Sequence, residues 1–419
     1  MSEATAFASI LPQAAGDGFA RIRREAREQF LARGWPTRRN ESYKYTDLSA
    51  LERKSWPRAE KPAAAFDLPD ALGTRSVWVD GYLDEAAGDA RVTSLQACAA
   101  SPPAALAGLL GTLAPQDDSV VALNTTLFDY GAWIDLPDDA APGDPLELVY
   151  SAGDRQTPAA NHGRLALQMG RNSRLVLIEH HLGGPAETLN TRVAEIALAS
   201  GAQLLHIRLN EAGEGTRLLG HTTVRASAGA SYRCLNLDLG ARLSREAFMV
   251  NLVEDEASAT LSGLALLDGK RHADADVRVV HDALHTRSRQ AFRGVLDGRS
   301  RSVYSGRVVV RPDAQKTDSG QESANLLLSP RAEADTRPQL EIYADDVICN
   351  HGAATGAIDP DALFYLQSRG IDADAARRMI AYGFAARVLA GLDNADLHHR
   401  LSTLLAMRMQ VPQEVLEWL

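Results

Sequence analysis

The sequence predicts a mainly β fold: a right-handed parallel β-helix, a solenoid of stacked coils, flanked by N-terminal and C-terminal α-helical domains. A β-sandwich is the alternative arrangement of the same strands. Three features of the sequence point this way. From Val120 onward, short apolar runs of strand length follow one another with no room for a crossover helix between them. Their turns recur, with equivalent small residues at positions 170, 201, 229 and 257, so the intervals are 31, 28 and 28 residues. Both ends carry helical periodicity instead. A strand-and-turn repeat of that length marks a solenoid, in which each coil buries its face by stacking on its neighbours.

Taken in order, Phe19, Ile22, Ala26, Phe30 and Leu31 have the spacing of a helix that buries one stripe, ended by Gly34 and Pro36. The aromatic, charged segment Gly34 to Thr46 can act as a binding loop or as a clamp fixing the helical cap to the body. Between Glu60 and Pro115 the chain is rich in Ala, Pro, Gly and Asp, with a strand-like run at Ser76 to Val79 and a short helix around Ala104 to Leu113. The strand-length runs then include Val120 to Leu123, Leu146 to Tyr150, Arg164 to Met169, Arg174 to Glu179, Arg192 to Leu198, Gln203 to Leu209 and Thr260 to Leu267. They continue to Gln339 to Tyr343.

After Gly356, Asp359 caps a helix with Pro360 at its first position, Asp372 caps a second and Asn394 a third. Their apolar stripes exceed what a short bundle buries alone, so this tail packs on the solenoid or presents a groove. The expected division is 1–115 (N-terminal helical domain and linker), 116–357 (β-helix core) and 358–419 (C-terminal helical domain).

With 45% hydrophobic residues and 23% charged, the composition is globular, and its net charge of -10 disfavours nucleic acid and anionic lipid, which need a positive field. No apolar run is long enough to span a bilayer and Met1 to Gly18 has no secretory or organellar leader pattern, so no membrane contact and a cytoplasmic location are expected. Cys98, Cys234 and Cys349 are too few and too dispersed for a disulfide framework or a four-thiolate site.

Phosphate-binding, dinucleotide-binding and metalloprotease motifs are absent, as are the Gly-x-Ser-x-Gly and Cys-x-x-Cys patterns. No catalytic residue is assigned, and the chain is not expected to be an enzyme. His180-His181 and His398-His399 point their members in different directions and do not converge on one ion. Asp268, His272, Asp274, Asp276, His281, Asp282 and His285 form a denser cluster, and carboxylates on a β-helix groove suit glycoside cleavage. A carbohydrate-active enzyme using Asp274 and Asp276 is therefore the alternative function, against a polar turn and exposed strand face.

Cys349 and His351 differ in kind. Two residues apart on a strand, they share one face, beside Asp345 and Asp346 and before Gly352 and Gly356. Thiolate and imidazole suit iron in clusters or zinc, yet two ligands are half of a tetrahedral site, and a partner chain would complete it. A packed cysteine and a hydrogen-bonded histidine is the competing reading.

The runs Arg311 to Asp318, Asn325 to Ser329, Leu340 to Val347, Cys349 to Ala353 and Tyr365 to Ile371, with Pro36 to Thr46 near the N-terminus, closely resemble the SufB/SufD family of iron-sulfur cluster assembly proteins. The length, and the lack of a cysteine-bearing segment before the last coils, resemble its SufD branch. Tyr43 stands where the family usually has tryptophan, and Asn350 where serine is common.

The resemblance implies the parallel β-helix between helical domains and a scaffold role in the SUF system. In such a complex the last β-helix strands pair with SufB and the C-terminal helices dock the ATPase SufC, with a homodimer possible without SufB. It further implies no tightly bound cofactor in the isolated chain. Iron or a nascent cluster passes transiently at the SufB interface, with His351 the stronger ligand of the pair His351 and Cys349.

Overall fold

A computed structural model describes residues 16–61, 68–84, 88–153, 157–184 and 186–411. Helices α1 (Ala20–Arg33), α2 (Ser49–Glu52), α3 (Leu95–Cys98), α4 (Ala104–Leu109) and α5 (Ser119–Leu127) lie at the N-terminal end; α6 (Pro360–Ser368), α7 (Ala373–Ala386) and α8 (Ala395–Arg408) lie at the C-terminal end. Strands β1 (Thr74–Val79), β2 (Tyr82–Leu83), β3 (Thr93–Ser94), β4 (Tyr130–Leu136), β5 (Leu146–Ala152) and β6 (Ala159–Met169) begin the sheets. They continue through β7 (Arg174–Gly183), β8 (Thr188–Leu198), β9 (Gln203–Glu211), β10 (Thr216–Ala226), β11 (Ser231–Asp238), β12 (Leu243–Leu252) and β13 (Ser258–Leu267). The last six are β14 (His272–His281), β15 (Arg287–Leu296), β16 (Arg301–Val310), β17 (Asp318–Leu327), β18 (Glu333–Ile342) and β19 (Ile348–Gly356).

From β4 to β19 successive strands alternate between two sheets, and each strand pairs in parallel with the one two places on. That alternation is a parallel β-solenoid, as the turn repeat predicts. β1, upstream of residue 116, pairs in parallel with β5 and so starts one sheet, while β3 pairs antiparallel with β4 at the start of the other.

The corners explain the repeat. Asp139, Asn172, Gly201, Gly229, Glu256, His285 and Lys316 all have φ between 56° and 72°, the left-handed region where glycine, asparagine and aspartate are least strained. Each donates its N–H to a carbonyl of the next coil, from Asp139 to Arg171 at 2.7 Å through Lys316 to Asp346 at 2.7 Å. The column thus contains Asn172 and Glu256, where the sequence pattern had pointed to 170 and 257. The offsets are two residues and one, and the small Gly170 and Ala257 beside the true corners account for them.

Inside the coils one part is apolar and one polar. Leu175, Leu177, Ile196, Val224, Phe248, Val250 and Leu261 belong to one buried ladder. Beside it Glu179 pairs with Arg192 and with His206 at 2.6 Å, and Arg208 reaches Glu246 at 2.8 Å, all buried. Paired in this way, interior charges avoid the full cost of desolvation.

Val120 to Leu123, expected as a strand, is helical. Asp118 caps α5 by accepting N–H bonds from Val120 at 2.8 Å and Val121 at 2.9 Å, and the apolar side chains pack against two separate clusters on either side of the helix. An N-cap and tertiary packing override β-branched propensity here.

The N-terminal cap is bolted to the solenoid by a buried node. Glu195 on β8 accepts N–H bonds from Gly111 at 2.7 Å, Leu113 at 2.9 Å and Ala114 at 3.0 Å, and binds Arg164 on β6 at 2.7 Å. Arg164 in turn donates to Asn124 and Thr125 of α5. Burial would raise the Glu195 carboxyl, but Arg164 and the N–H groups of Gly111 and Ala114 outweigh it and hold it low.

At the C-terminal end, α7 and α8 bury Tyr382, Ala385, Leu401 and Leu405, with Leu389 in the turn between them, against Ile178, Ile207, Leu209, Leu237 and Leu264 on the outer face of the β5–β19 sheet. The tail therefore packs on the solenoid. Asp359, Asp372 and Asn394 cap α6, α7 and α8 as their positions predict. α6 buries none of its side chains, and Phe364 and Tyr365 are exposed.

Candidate functional site

The segment Arg38 to Thr46 is a clamp. Tyr43 is buried, its ring lies 4.3 Å from the Arg245 guanidinium, and its hydroxyl donates to Asp118 at 3.1 Å. Arg245 spans Asp274 and Asp276, donating to each at 2.8 Å, while Thr46 closes over Asp274 and lies 2.9 Å from His272. The two carboxylates proposed for glycoside cleavage are thus both engaged by one arginine under a loop. They do not face each other across an open groove, as paired acid and base must.

The other sequence candidates resolve as packing. His180 and His181 do point to opposite faces: His181 stacks inside on Tyr150 with ring centroids 5.3 Å apart, and His180 sits outside between Glu147 at 3.1 Å and Glu211 at 2.9 Å. Burial pushes the Cys234 thiol up to about 12, and it also raises Cys98. Both behave as small apolar residues.

Cys349 and His351 lie on β19, the last strand of its sheet, in parallel register with β17: Ser319 opposite Cys349 and Gln321 opposite His351. Cys349 is half-buried against the cluster of Val308, Val310, Ala314 and Ala344, and its thiol is pushed up by that burial. His351 is exposed on the same strand face, because no further coil covers it.

One coil back, Ser319 bonds to Ser288 at 2.8 Å and Ser288 to His281 at 2.9 Å, a polar ladder that ends opposite Cys349. Gln321, opposite His351, is buried, and neither atom of its amide has a hydrogen-bond partner among the described residues. Sequence reasoning missed Ser319 and Gln321; counting one repeat of about 30 residues back from the thiol and the imidazole finds them.

Among the described residues no group of three or more His, Cys, Asp or Glu side chains could hold a metal ion, so Cys349 and His351 remain a pair. Around them the end of the stack is bare. β18 and β19 have no outer neighbour among the described residues, and Ile342, Tyr343 and Ile348 are exposed beside them. Unpaired edge strands with exposed apolar side chains are a template for another chain.

The family model for the SUF system FeS cluster assembly, SufBD core domain, matches residues 150–384, which span the coils and the start of the tail. This chain belongs to the SufBD family. It is 29% identical over 401 residues to the iron-sulfur cluster assembly protein SufD of Escherichia coli, covering 91% of each chain. A SufBD family protein of Synechocystis is 28% identical over 397 residues, covering 89% of this chain and 87% of the relative. SufD of Bacillus subtilis is 23% identical over 301 residues, 70% of this chain and 68% of its own. These relatives put the chain on the SufD branch of the SufBD family, with a role in iron-sulfur cluster assembly and partners within the SUF system. No described helix is long and apolar enough to cross a membrane.

Proposed function

We propose that this SufBD protein is a non-catalytic scaffold subunit of a cytoplasmic SUF complex, in which β18 and β19 pair with SufB and the unit 358–419 docks the ATPase SufC. The observation that carries it is the bare end of the solenoid: two edge strands with no outer neighbour among the described residues, and three exposed apolar side chains beside them. Paired strands from a partner would continue both sheets. A second copy of this chain would suit the same edge when SufB is absent.

Cys349 and His351 then become one half of a shared site through which iron or a nascent cluster passes as cargo, with the remaining ligands on the partner. His351 carries more of this role, since it is exposed while the Cys349 thiol is half-buried and holds its proton more tightly. In reconstituted complex, His351→Ala is expected to leave the melting temperature and co-purification unchanged and to lower the iron and sulfide recovered. Normal cluster formation in that variant would reject the ligand role.

The docking role of the tail rests on α6, whose Phe364 and Tyr365 face outward. Removing the whole tail would be a poor test, because α7 and α8 cover the apolar outer face of the sheet. The double variant Phe364→Ala and Tyr365→Ala is expected to keep SufB capture and weaken SufC capture by about tenfold or more in a pull-down, on the scale of an aromatic anchor.

A further inference from the structure

Two columns of side chains run along the last coils and end at Cys349 and His351. Behind Cys349 the column is closed, since Ser319 bonds to Ser288 at 2.8 Å and Ser288 to His281 at 2.9 Å. Behind His351 stand Gln321 on β17 and then Gln290 on β15, in parallel register. The Tyr304 hydroxyl donates to the Gln290 Oε1 at 2.8 Å, and the Gln290 Nε2 is left buried without a partner among the described residues. Gln321 is only 3% exposed, and neither its Oε1 nor its Nε2 has a partner there.

Buried amides are bonded as a rule, because stripping them of water without a replacement costs stability. One coil further back the same column holds Leu261, which packs into the apolar ladder. The change from leucine to glutamine thus falls in the two coils that lead up to His351. Neighbouring strands lie about 4.8 Å apart, and side chains opposite each other in register share a face. A turn of the exposed imidazole about its own side-chain bonds is enough to bring a ring nitrogen to the Gln321 amide.

We infer that Gln321 is the positioning residue for His351: its Oε1 accepts the N–H of one imidazole nitrogen, which fixes the tautomer and leaves the other nitrogen facing out of the end of the stack. An amide oxygen has two lone pairs, so the Gln290 Nε2 can donate to the same atom and steady it, with Tyr304 holding Gln290 in turn. A histidine whose second nitrogen donates to a fixed oxygen is a better oriented and more basic ligand. The inference rests on the ligand role proposed above for His351 and supplies the group that aims it.

The test starts from the metal-free full chain labelled with nitrogen-15 at histidine. An imidazole N–H open to water exchanges too fast to be seen by magnetic resonance, whereas one held on a buried amide persists. A ring N–H signal of His351, assigned by its loss in His351→Ala, is therefore expected. Gln321→Met keeps the side-chain length and should abolish the signal, while Gln321→Glu retains an acceptor and should keep it. In complex reconstituted with SufB and SufC, ferrous iron should bind about tenfold or more weakly to Gln321→Met, and Gln321→Glu should restore the affinity. A wild type without the ring N–H signal would overturn the inference whatever the folding of the variants, and so would unchanged iron affinity in folded Gln321→Met. Because the ring N–H is read without metal, its absence is distinct from normal cluster formation in His351→Ala, which would reject the ligand role itself.

Discussion

The two ends of the solenoid treat the same physical problem in opposite ways. A stack of parallel coils leaves an open sheet edge and an uncovered interior at each end. At the start, α1, α5, β2 and β3 cover them from within the chain, and Glu195, Arg164 and Arg245 bind the cap through buried charge. At the finish, β18 and β19 have no outer neighbour among the described residues, and Ile342, Tyr343 and Ile348 are exposed. The difference separates an end covered from within the chain from one left open among the described residues, and Cys349 and His351 lie at the second.

Breaking the covered end should cost the most. Glu195→Ala removes the acceptor of three N–H groups and strands Arg164 in a site with no solvent, so unfolding by denaturant should show a loss of about 3–5 kcal/mol. A loss below about 1 kcal/mol would mean that the cap is held by its apolar contacts alone.

Charging the bare end should do the reverse. Ile348→Asp alters an exposed position, so stability should stay within about 0.5 kcal/mol, while capture of SufB or of a second copy should fall sharply in size-exclusion chromatography. Destabilisation without loss of capture would contradict the contrast between the two ends.

The smallest effect is a pH dependence between them. His180 joins Glu147, which Arg75 of β1 also binds, to Glu211, which Arg408 of α8 also binds. Burial would depress the imidazole, but hydrogen bonds to both carboxylates outweigh it and raise its pKa. A raised folded value means that this stabilisation is fully present below the unfolded pKa of about 6.5 and is lost as pH rises through the folded one. Stability curves of wild type and His180→Gln should therefore converge on going from mildly acidic to alkaline solution. Parallel curves would show that His180 is not the group that titrates.

The solenoid was legible because its repeat is local: strand-length runs and corner residues recur within reach of the eye, and Asp359, Asp372 and Asn394 state their helix starts outright. What escaped was long-range. Arg164 and Arg192 look like the polar ends of apolar runs, yet they sit mid-strand in β6 and β8, buried and paired with Glu195 and Glu179, partners a full coil or sheet away. Asp274 and Asp276 looked catalytic because sequence shows charge density and not the Arg245 between them. Of the candidate site, the shared strand face of Cys349 and His351 follows from spacing alone. Ser319 and Gln321 become visible only once the coil length is known.

The left-handed corner column also bears on how the stack stops. Each corner N–H is bonded to the coil that follows, from Asp139 to Lys316, so every coil is a template for the next and nothing in the repeat sets its length. Growth ends by punctuation. After β19 the chain reaches Asp359 and Pro360, a helix cap followed by a residue with no N–H to offer a further strand. The molecule is thus a polymerisation halted by two residues, and its last coil keeps the templating surface that the halt left behind.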